Sequence, residues 1–154
     1  MYKVISIVLA ERMKTVMVKL ISREQRTFIK GRSILDGVLI ANEMVDFIMS
    51  AKKSLVFKVD FEKAYDSVEW SFLLDGLKSM GFGKKWRGWI EACLKSSTIS
   101  ILINGASTNE FPIERGLRQG NPLAPFLLLI IAEGLHIMVE EAMEKGLLKG
   151  VRRY

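Results

Sequence analysis

Carboxylates are concentrated in the segment 60–66, DFEKAYD, which directly follows alternating residues at 55–59. This alternation has the two-residue period of a half-buried β-strand, and it predicts that Asp60 stands at the strand's end, facing a cleft or solvent. Mg²⁺ typically takes one or two carboxylates from a protein, so Asp60 is a candidate metal ligand. A calcium-binding EF-hand is excluded, because its glycine position holds Tyr65 and its final glutamate position holds Ser71.

A second candidate region is the loop 115–125, RGLRQGNPLAP, which is rich in glycine and proline. It follows two extended stretches, 98–103 and another that ends at Ile113, separated by Asn104–Gly105. Asparagine and glycine both tolerate positive φ, so this dipeptide predicts a tight β-hairpin. The hairpin delivers the chain into the loop, and a long apolar helix to about Lys145 follows.

Helices must account for most of the remaining chain, because apolar side chains recur there at intervals of three and four residues. The predicted helices cover 4–20, a segment capped by Ser33 that continues to Ile48, a segment from Ser67 to a stop at Gly81, and 84–94. Together with the strand at 55–59 and the hairpin, these helices predict an α+β fold without repeats or linkers.

The composition shows an excess of positive charge and excludes several kinds of functional site. Lys and Arg number 23 against 17 Asp and Glu, a net charge of +6 that favours polyanionic partners such as nucleic acid. A lone cysteine, Cys93, and a lone histidine, His136, leave no material for a disulfide, a Cys/His zinc cluster or a Ser-His-Asp arrangement. The simplest interpretation is a reducing, intracellular setting, in the nucleus or the cytoplasm.

Two apolar runs, 4–10 and 122–132, raise the question of a membrane. Both are shorter than the ~20 residues of a spanning helix. The first is followed by Glu11 and Arg12 rather than by a small-residue cleavage site, which argues against a signal peptide. No membrane is therefore expected as a partner, and the sequence points to no protein partner.

The segments Asp60–Ser67 and Gly116–Pro125 resemble motifs A and B of the reverse transcriptases of non-LTR retrotransposons, and their spacing also fits. The stretch Tyr2–Leu20, continued by Gly31-Arg32 and Ile34–Asp36, resembles the fingers segment before motif A in plant LINE-type elements. The resemblance covers essentially the whole chain. It implies the fingers and partial palm of a right-hand polymerase fold, incomplete, with fingers-like helices at about 1–54 and palm at about 55–154.

The resemblance also implies roles for three residues of the first motif. Asp60 would be a catalytic, metal-binding aspartate, and the backbone carbonyl of Phe61 would bind the same ion, Mg²⁺ in the complete enzyme. Tyr65 would lie under the sugar of the incoming deoxynucleotide and exclude a 2′-hydroxyl by its bulk. The implied partners are an RNA template, a DNA primer and deoxynucleotides.

In the second motif, the resemblance implies that Arg118, Gln119 and Gly120 contact the incoming nucleotide or the template. Glycine at 120 would let the backbone approach closely. The chain departs from the family at Asn121, where aspartate is usual, and at Ala124, where serine is common. These departures would affect the fidelity of the site and not its existence, because neither position is a metal ligand.

A third element of the family is not found among these 154 residues, which contain no Tyr/Phe-Ala-Asp-Asp tetrapeptide. Phosphoryl transfer by a polymerase uses a pair of metal ions, and motif A alone cannot hold both. Asp66 adds at best one more carboxylate. We therefore expect the isolated chain to be inactive; the alternatives are weak, non-specific nucleic-acid binding and a degenerate element product without a function.

Other features have plainer interpretations. The basic residues at 84, 85 and 87 with Trp86 and Trp89 could form a nucleic-acid face, but a helix with buried tryptophans and a solvated basic start is favoured. His136 is interpreted as a helix-packing residue and Cys93 as a small buried group. An isolated chain is expected to leave an open strand edge at 55–59 and an under-covered helix at Leu123–Val139, and so to aggregate or pack loosely.

Overall fold

The structure is a computed structural model, and it describes residues 2–51, 56 and 60–149. The predicted strand at 55–59 lies outside the described residues except for Val56. The described part contains five α-helices and four short β-strands. The helices are α1 (Tyr2–Leu20), α2 (Ile34–Ala51), α3 (Trp70–Ser79), α4 (Lys84–Lys95) and α5 (Ala124–Glu144). The strands are β1 (Thr98–Ile99), β2 (Leu102–Ile103), β3 (Ala106–Ser107) and β4 (Phe111–Pro112). The mixture of helices and small sheets agrees with the α+β prediction.

All five predicted helices are present, with one boundary to correct. Ser67 does not begin α3; it lies in a turn where the backbone N–H groups of Asp66 and Ser67 both donate to the Lys63 carbonyl, at 2.9 and 3.1 Å. The helix starts three residues later, at Trp70. Its end is as expected, because Gly81 adopts φ +84° and the Phe82 N–H donates back to the Leu77 carbonyl at 3.0 Å.

The predicted hairpin is confirmed. Strands β2 and β3 pair antiparallel with Ile103 opposite Ala106, and Asn104 and Gly105 both have positive φ, 50° and 83°. Such values at both central residues belong to a type I′ turn, whose twist matches that of the strands. Strand β1 pairs with β4, so the second extended stretch returns beside the first one and directs the chain into the loop before α5.

A single cluster of buried apolar side chains joins α1, α3, α4 and α5. Helix α5 packs on α3 and on α1, and α3 also packs on α4. The backbones of α3 and α5 approach closely, since a Cβ at Gly76 would lie 3.4 Å from Ile130 and one at Gly134 would lie 3.2 Å from Phe72. The side chains with at most 2% exposure are Ser6, Met13, Met17, Leu73, Leu77, Ile90, Leu123, Ala124, Leu127 and Ile130.

Helix α2 lies outside this core. None of its described side chains, residues 34–50, is buried, and Leu35 and Met49 are more than 70% exposed. Helix α5 is divided, because its buried residues end at Glu133 and the side chains of 135 and 137–139 are exposed. The expectation of an under-covered helix at Leu123–Val139 is therefore correct for the part after Glu133 and wrong for the part before it, which packs in the core. Within the described residues, no helix is both long and apolar enough to span a membrane.

Candidate nucleotide cleft

The two sequence motifs meet through their backbones. The N–H of Gly116 donates to the Val68 carbonyl, and the N–H of Leu117 donates to the Tyr65 carbonyl, both at 2.7 Å. The indole N–H of Trp70 donates to the Gly116 carbonyl at 2.8 Å. Three hydrogen bonds therefore hold the turn after Asp60 against the start of the glycine-rich loop.

Glycine is required at position 116 for two reasons. Its φ of +86° is unfavourable for residues with a Cβ, and a Cβ there would lie 2.9 Å from the carbonyl oxygen of Asp66. Lys63 also has positive φ, 55°, and it accepts the two hydrogen bonds that close the turn preceding this contact. The contact between the two motifs therefore requires the tight turn at Lys63 and a residue without a side chain at position 116.

Tyr65 and the loop form one cleft of about 560 Å³. Its lining residues are Tyr65, Gln119, Gly120, Asn121, Pro122, Ala124 and Pro125. The structure thus brings Tyr65 together with Gln119 and Gly120, which are more than 50 residues apart in the sequence. A half-buried aromatic ring beside an amide side chain and an open glycine can accept a flat, polar ligand by contact and hydrogen bonding.

Asn121, one of the departures from the family pattern, has a structural role at the entry to α5. Its side-chain oxygen accepts a hydrogen bond from the Leu123 N–H at 3.0 Å, and its carbonyl accepts one from the Ala124 N–H at 3.0 Å. Asparagine and aspartate both supply a side-chain acceptor at a helix start, so the local turn does not depend on the charge.

Arg118 lies in a neighbouring cleft of about 860 Å³ and does not line the Tyr65 cleft. The neighbouring cleft runs between β1, β4 and the loop, and its polar lining includes Asp66 and Glu69. Gln119 lines both clefts, so it stands at their boundary. Arg118 is exposed, and its predicted contact with a nucleotide or template stays a prediction.

Asp60 and Phe61 do not line the cleft that Tyr65 shares with Gln119 and Gly120. Both are exposed, Phe61 by 59%, and neither lines the Tyr65 cleft. Phe61 instead lines an apolar groove of about 530 Å³ against Phe28 and α5. The strand that was expected to deliver Asp60 lies almost wholly outside the described residues, so the metal-binding roles of both residues stay predictions.

The donor set does not fit a polymerase metal centre by itself. Among residues 2–51, 56 and 60–149, no three His, Cys, Asp or Glu side chains are grouped so that they could hold a metal ion. A two-ion centre needs carboxylates around cations that are ~3.5–4 Å apart. Asp60 is one exposed carboxylate, which could contribute to such a centre but does not form it alone.

Two polar contacts that support the arrangement were not anticipated from the sequence. The buried carboxylate of Glu133 accepts hydrogen bonds from the Ser22 N–H at 3.1 Å and from the Ser22 hydroxyl at 2.9 Å. These bonds tie the segment after α1 to α5. Glu133 is the only carboxylate in the apolar run 123–139, and this could have signalled the contact, because a buried charge requires polar partners.

The interpretation of α4 needs a correction, because its tryptophans are not both buried. Trp86 is half-buried, whereas Trp89 is 41% exposed and has the Lys85 ammonium 5.7 Å from its ring centroid. Cys93 is buried as expected, and burial raises the pKa of its thiol more than a hydrogen bond with Ser6 lowers it. His136 is partly exposed, 3.5 Å from the Glu140 carboxylate.

Comparisons with known proteins identify a family and several relatives of this chain. Residues 1–149 match the family model described as reverse transcriptase (RNA-dependent DNA polymerase). The chain is 30% identical over 139 residues to the Transposon TX1 uncharacterized 149 kDa protein of Xenopus laevis, covering 84% of this chain and 11% of that protein. It is 30% identical over 112 residues to a Retrovirus-related Pol polyprotein from type-1 retrotransposable element R2 of Popillia japonica, covering 69% of this chain and 16% of that protein.

A plant relative is also found, an uncharacterized mitochondrial protein of Arabidopsis thaliana. It is 43% identical over 52 residues, which cover 34% of this chain and 43% of that protein. The chain therefore spans a small part of each of the two transposon proteins and less than half of the plant protein.

Proposed function

We propose, because the chain belongs to the reverse transcriptase (RNA-dependent DNA polymerase) family, that it forms the fingers and partial palm of a polymerase encoded by a non-LTR retrotransposon. Its similarity to proteins of the TX1 and R2 elements supports the retrotransposon assignment. In this proposal the complete enzyme copies an RNA template onto a DNA primer with deoxynucleotides and Mg²⁺. The fingers would be residues of about 1–54 and the palm those of about 55–154.

One observation carries the proposal: Tyr65 lines the same cleft as Gln119 and Gly120. In the proposed roles, the Tyr65 ring packs under the deoxyribose, and a 2′-hydroxyl would collide with it. Gln119 hydrogen-bonds the incoming nucleotide, and Gly120 leaves room for its close approach. Arg118 interacts with the template or triphosphate, while Asp60 and the Phe61 carbonyl contribute to a metal site that needs further ligands.

Nucleotide binding tests the cleft directly. A fluorescent deoxynucleoside triphosphate, titrated with Mg²⁺ present and competed with its ribonucleotide, should bind the chain with a preference for the deoxy form. Gln119→Ala should weaken binding about fivefold, the equivalent of ~1 kcal/mol for a lost hydrogen bond. Tyr65→Ala should reduce the preference for the deoxy sugar.

Phe28→Ala is a matched control, because Phe28 is an aromatic residue with 59% exposure outside the Tyr65 cleft. It should leave both the affinity and the sugar preference unchanged. If Tyr65→Ala and Gln119→Ala bind the deoxynucleotide as the wild type does, the cleft is not a nucleotide site and the proposal fails.

Activity of the isolated chain is a separate part of the proposal. We expect a polypeptide of these 154 residues to give no primer extension, because two cations need more ligands than Asp60 and its neighbours supply. Mg²⁺-dependent incorporation that disappears in Asp60→Ala would overturn this expectation. The titration therefore tests whether the cleft binds deoxynucleotides, and primer extension tests whether the chain catalyses their incorporation.

A plant LINE-type origin is the finer assignment within the retrotransposon class. The similarity to the Arabidopsis thaliana protein over 52 residues supports it. The proposal places the chain inside the cell, in the nucleus or the cytoplasm, where an unpaired thiol such as Cys93 stays reduced.

A further inference from the structure

The positive charge of the chain is concentrated at one place. Residues 19–32, here called the basic segment, include the cations Lys19, Arg23, Arg26, Lys30 and Arg32. Glu24 is the only carboxylate in the segment, so four net charges of the chain's +6 belong to it. The ion pairs seen among the described residues, at Lys14, Lys95, His136 and Lys145, involve none of these cations.

The Arg32 side chain binds backbone carbonyls at the C-terminal end of α1 and just after it. Its guanidinium donates to the carbonyls of Gln25 at 2.6 Å and Ile21 at 2.9 Å, and also to those of Ser22 and Val18. The C-terminal end of a helix carries partial negative charge on its free carbonyls. Arg32 neutralises that end of α1, so the surface there does not repel an anion.

A polar cleft of about 670 Å³ opens at the same position. Its lining includes Lys19, Arg23, Arg26 and Arg32, and none of its residues lines the Tyr65 cleft. The carboxylate that lines it, Glu133, already accepts hydrogen bonds from both the N–H and the hydroxyl of Ser22. Cationic side chains therefore dominate the open face of the cleft.

We infer that this cleft, which the end of α1 and the rest of the basic segment line together, binds the phosphodiester backbone of a nucleic-acid strand through Lys19, Arg23 and Arg26. Arg32 acts as a positioning residue, because its donors are occupied by backbone carbonyls. The concave shape suits a strand better than a flat bilayer, and the choice of nucleic acid among polyanions rests on the proposed function. No base is contacted in this arrangement, so the binding is independent of sequence.

The experiment uses fluorescence anisotropy of a labelled oligouridylate with the full chain. Lys19→Gln, Arg23→Gln and Arg26→Gln are combined, because glutamine retains part of the stem with which Arg26 packs near Gly37. Neutralising three phosphate contacts should weaken binding about tenfold or more. It should also reduce the slope of log K against log salt concentration by about two, since each contact to a single strand contributes ~0.7.

The matched control removes three exposed charges elsewhere, by Lys78→Gln, Lys84→Gln and Lys85→Gln on α3 and α4. It should change the affinity and the salt slope much less than the cleft variant. Far-ultraviolet circular dichroism of both triples checks that the helices are retained. Equal losses in the two triples would show that the attraction is diffuse and would overturn the inference.

Two further measurements separate the outcomes. Binding to vesicles of phosphatidylcholine and phosphatidylserine should be weak, and vesicle binding that depends on the cleft while RNA binding does not would also overturn the inference. Deoxynucleotide binding should be unchanged in the cleft triple. The two proposals can also fail separately. If the Tyr65 cleft does not bind nucleotide but the chain still binds RNA through the basic cleft, the proposed function is contradicted and this inference is supported.

Discussion

Helices α2 and α5 have similar apolar sequences and opposite surroundings. Helix α5 buries Leu127, Leu129 and Ile130 to 4% exposure or less, whereas Leu35 and Leu39 of α2 are 73% and 62% exposed. The difference comes from partners, since α5 packs on α1 and α3 while α2 has no buried described residue. Apolar periodicity therefore predicts a helix in both cases but cannot predict what covers it.

This difference has an energetic consequence. Fully burying a leucine or isoleucine side chain contributes roughly 1.5–3 kcal/mol, so the first half of α5 is a major source of stability. Helix α2 gains little from packing and depends on its own helix propensity, although packing supplies most of the stability of helices in proteins. We expect α2 to unfold locally before the core does.

The largest expected effect comes from emptying the core at α5. Ile130→Ala should cost about 2–5 kcal/mol in the free energy of unfolding, because the side chain is 1% exposed and a cavity would remain. Leu39→Ala on α2 should cost less than about 0.5 kcal/mol. Urea unfolding followed by circular dichroism measures both. Small and equal costs would indicate a loosely packed state instead of a specific core.

A second pair of variants compares a glycine of the motif junction with a glycine beside α2. Gly116→Ala should cost at least about 2 kcal/mol, because it combines positive φ with a clash against the Asp66 carbonyl. Gly31→Ala should cost about 1 kcal/mol, since its φ is +81° but nothing lies within 4 Å. The same urea titrations apply. Equal losses would mean that the junction is looser than its 2.7 Å hydrogen bonds indicate.

A smaller effect is expected from the buried carboxylate of α5. Glu133→Gln should cost about 1–2 kcal/mol, because one of the two acceptor oxygens bonded to Ser22 is replaced by a donor. Asp46→Asn on α2 is the exposed counterpart and should change stability by less than about 0.5 kcal/mol. If Glu133→Gln is more stable than the wild type, the negative charge of Glu133 destabilises the folded state.

The smallest effect concerns the thiol of α4. Because burial raises the pKa of Cys93, the folded state holds the thiol proton more tightly than the unfolded state does. Stability should therefore fall as pH rises from the unfolded thiol pKa toward the folded one. Iodoacetamide should label Cys93 much more slowly than a cysteine introduced by Leu39→Cys, with peptide mass spectrometry locating the label. Comparable labelling rates would contradict the burial of Cys93.

Much of the secondary structure could be predicted because its causes are local. Asn104 and Gly105 define the hairpin through their own φ preferences, and Gly81 ends α3 in the same way. The start of α3 could not be placed, because the carbonyls of Tyr65 and Val68 accept hydrogen bonds from the N–H groups of Leu117 and Gly116, and Trp70 donates to the Gly116 carbonyl. Local propensity contains no information about a partner so distant in the chain.

For the site, the sequence by itself determined which residues are candidates, since Tyr65 and Gln119 stand in recognisable motifs. Only the tertiary structure decided that these two line one cleft while Asp60 and Phe61 lie outside it, and that Ser22 bonds Glu133. The physical reason is that residue type and spacing specify chemistry and local conformation. Packing alone determines which distant side chains share a surface, as the opposite burial of α2 and α5 demonstrates.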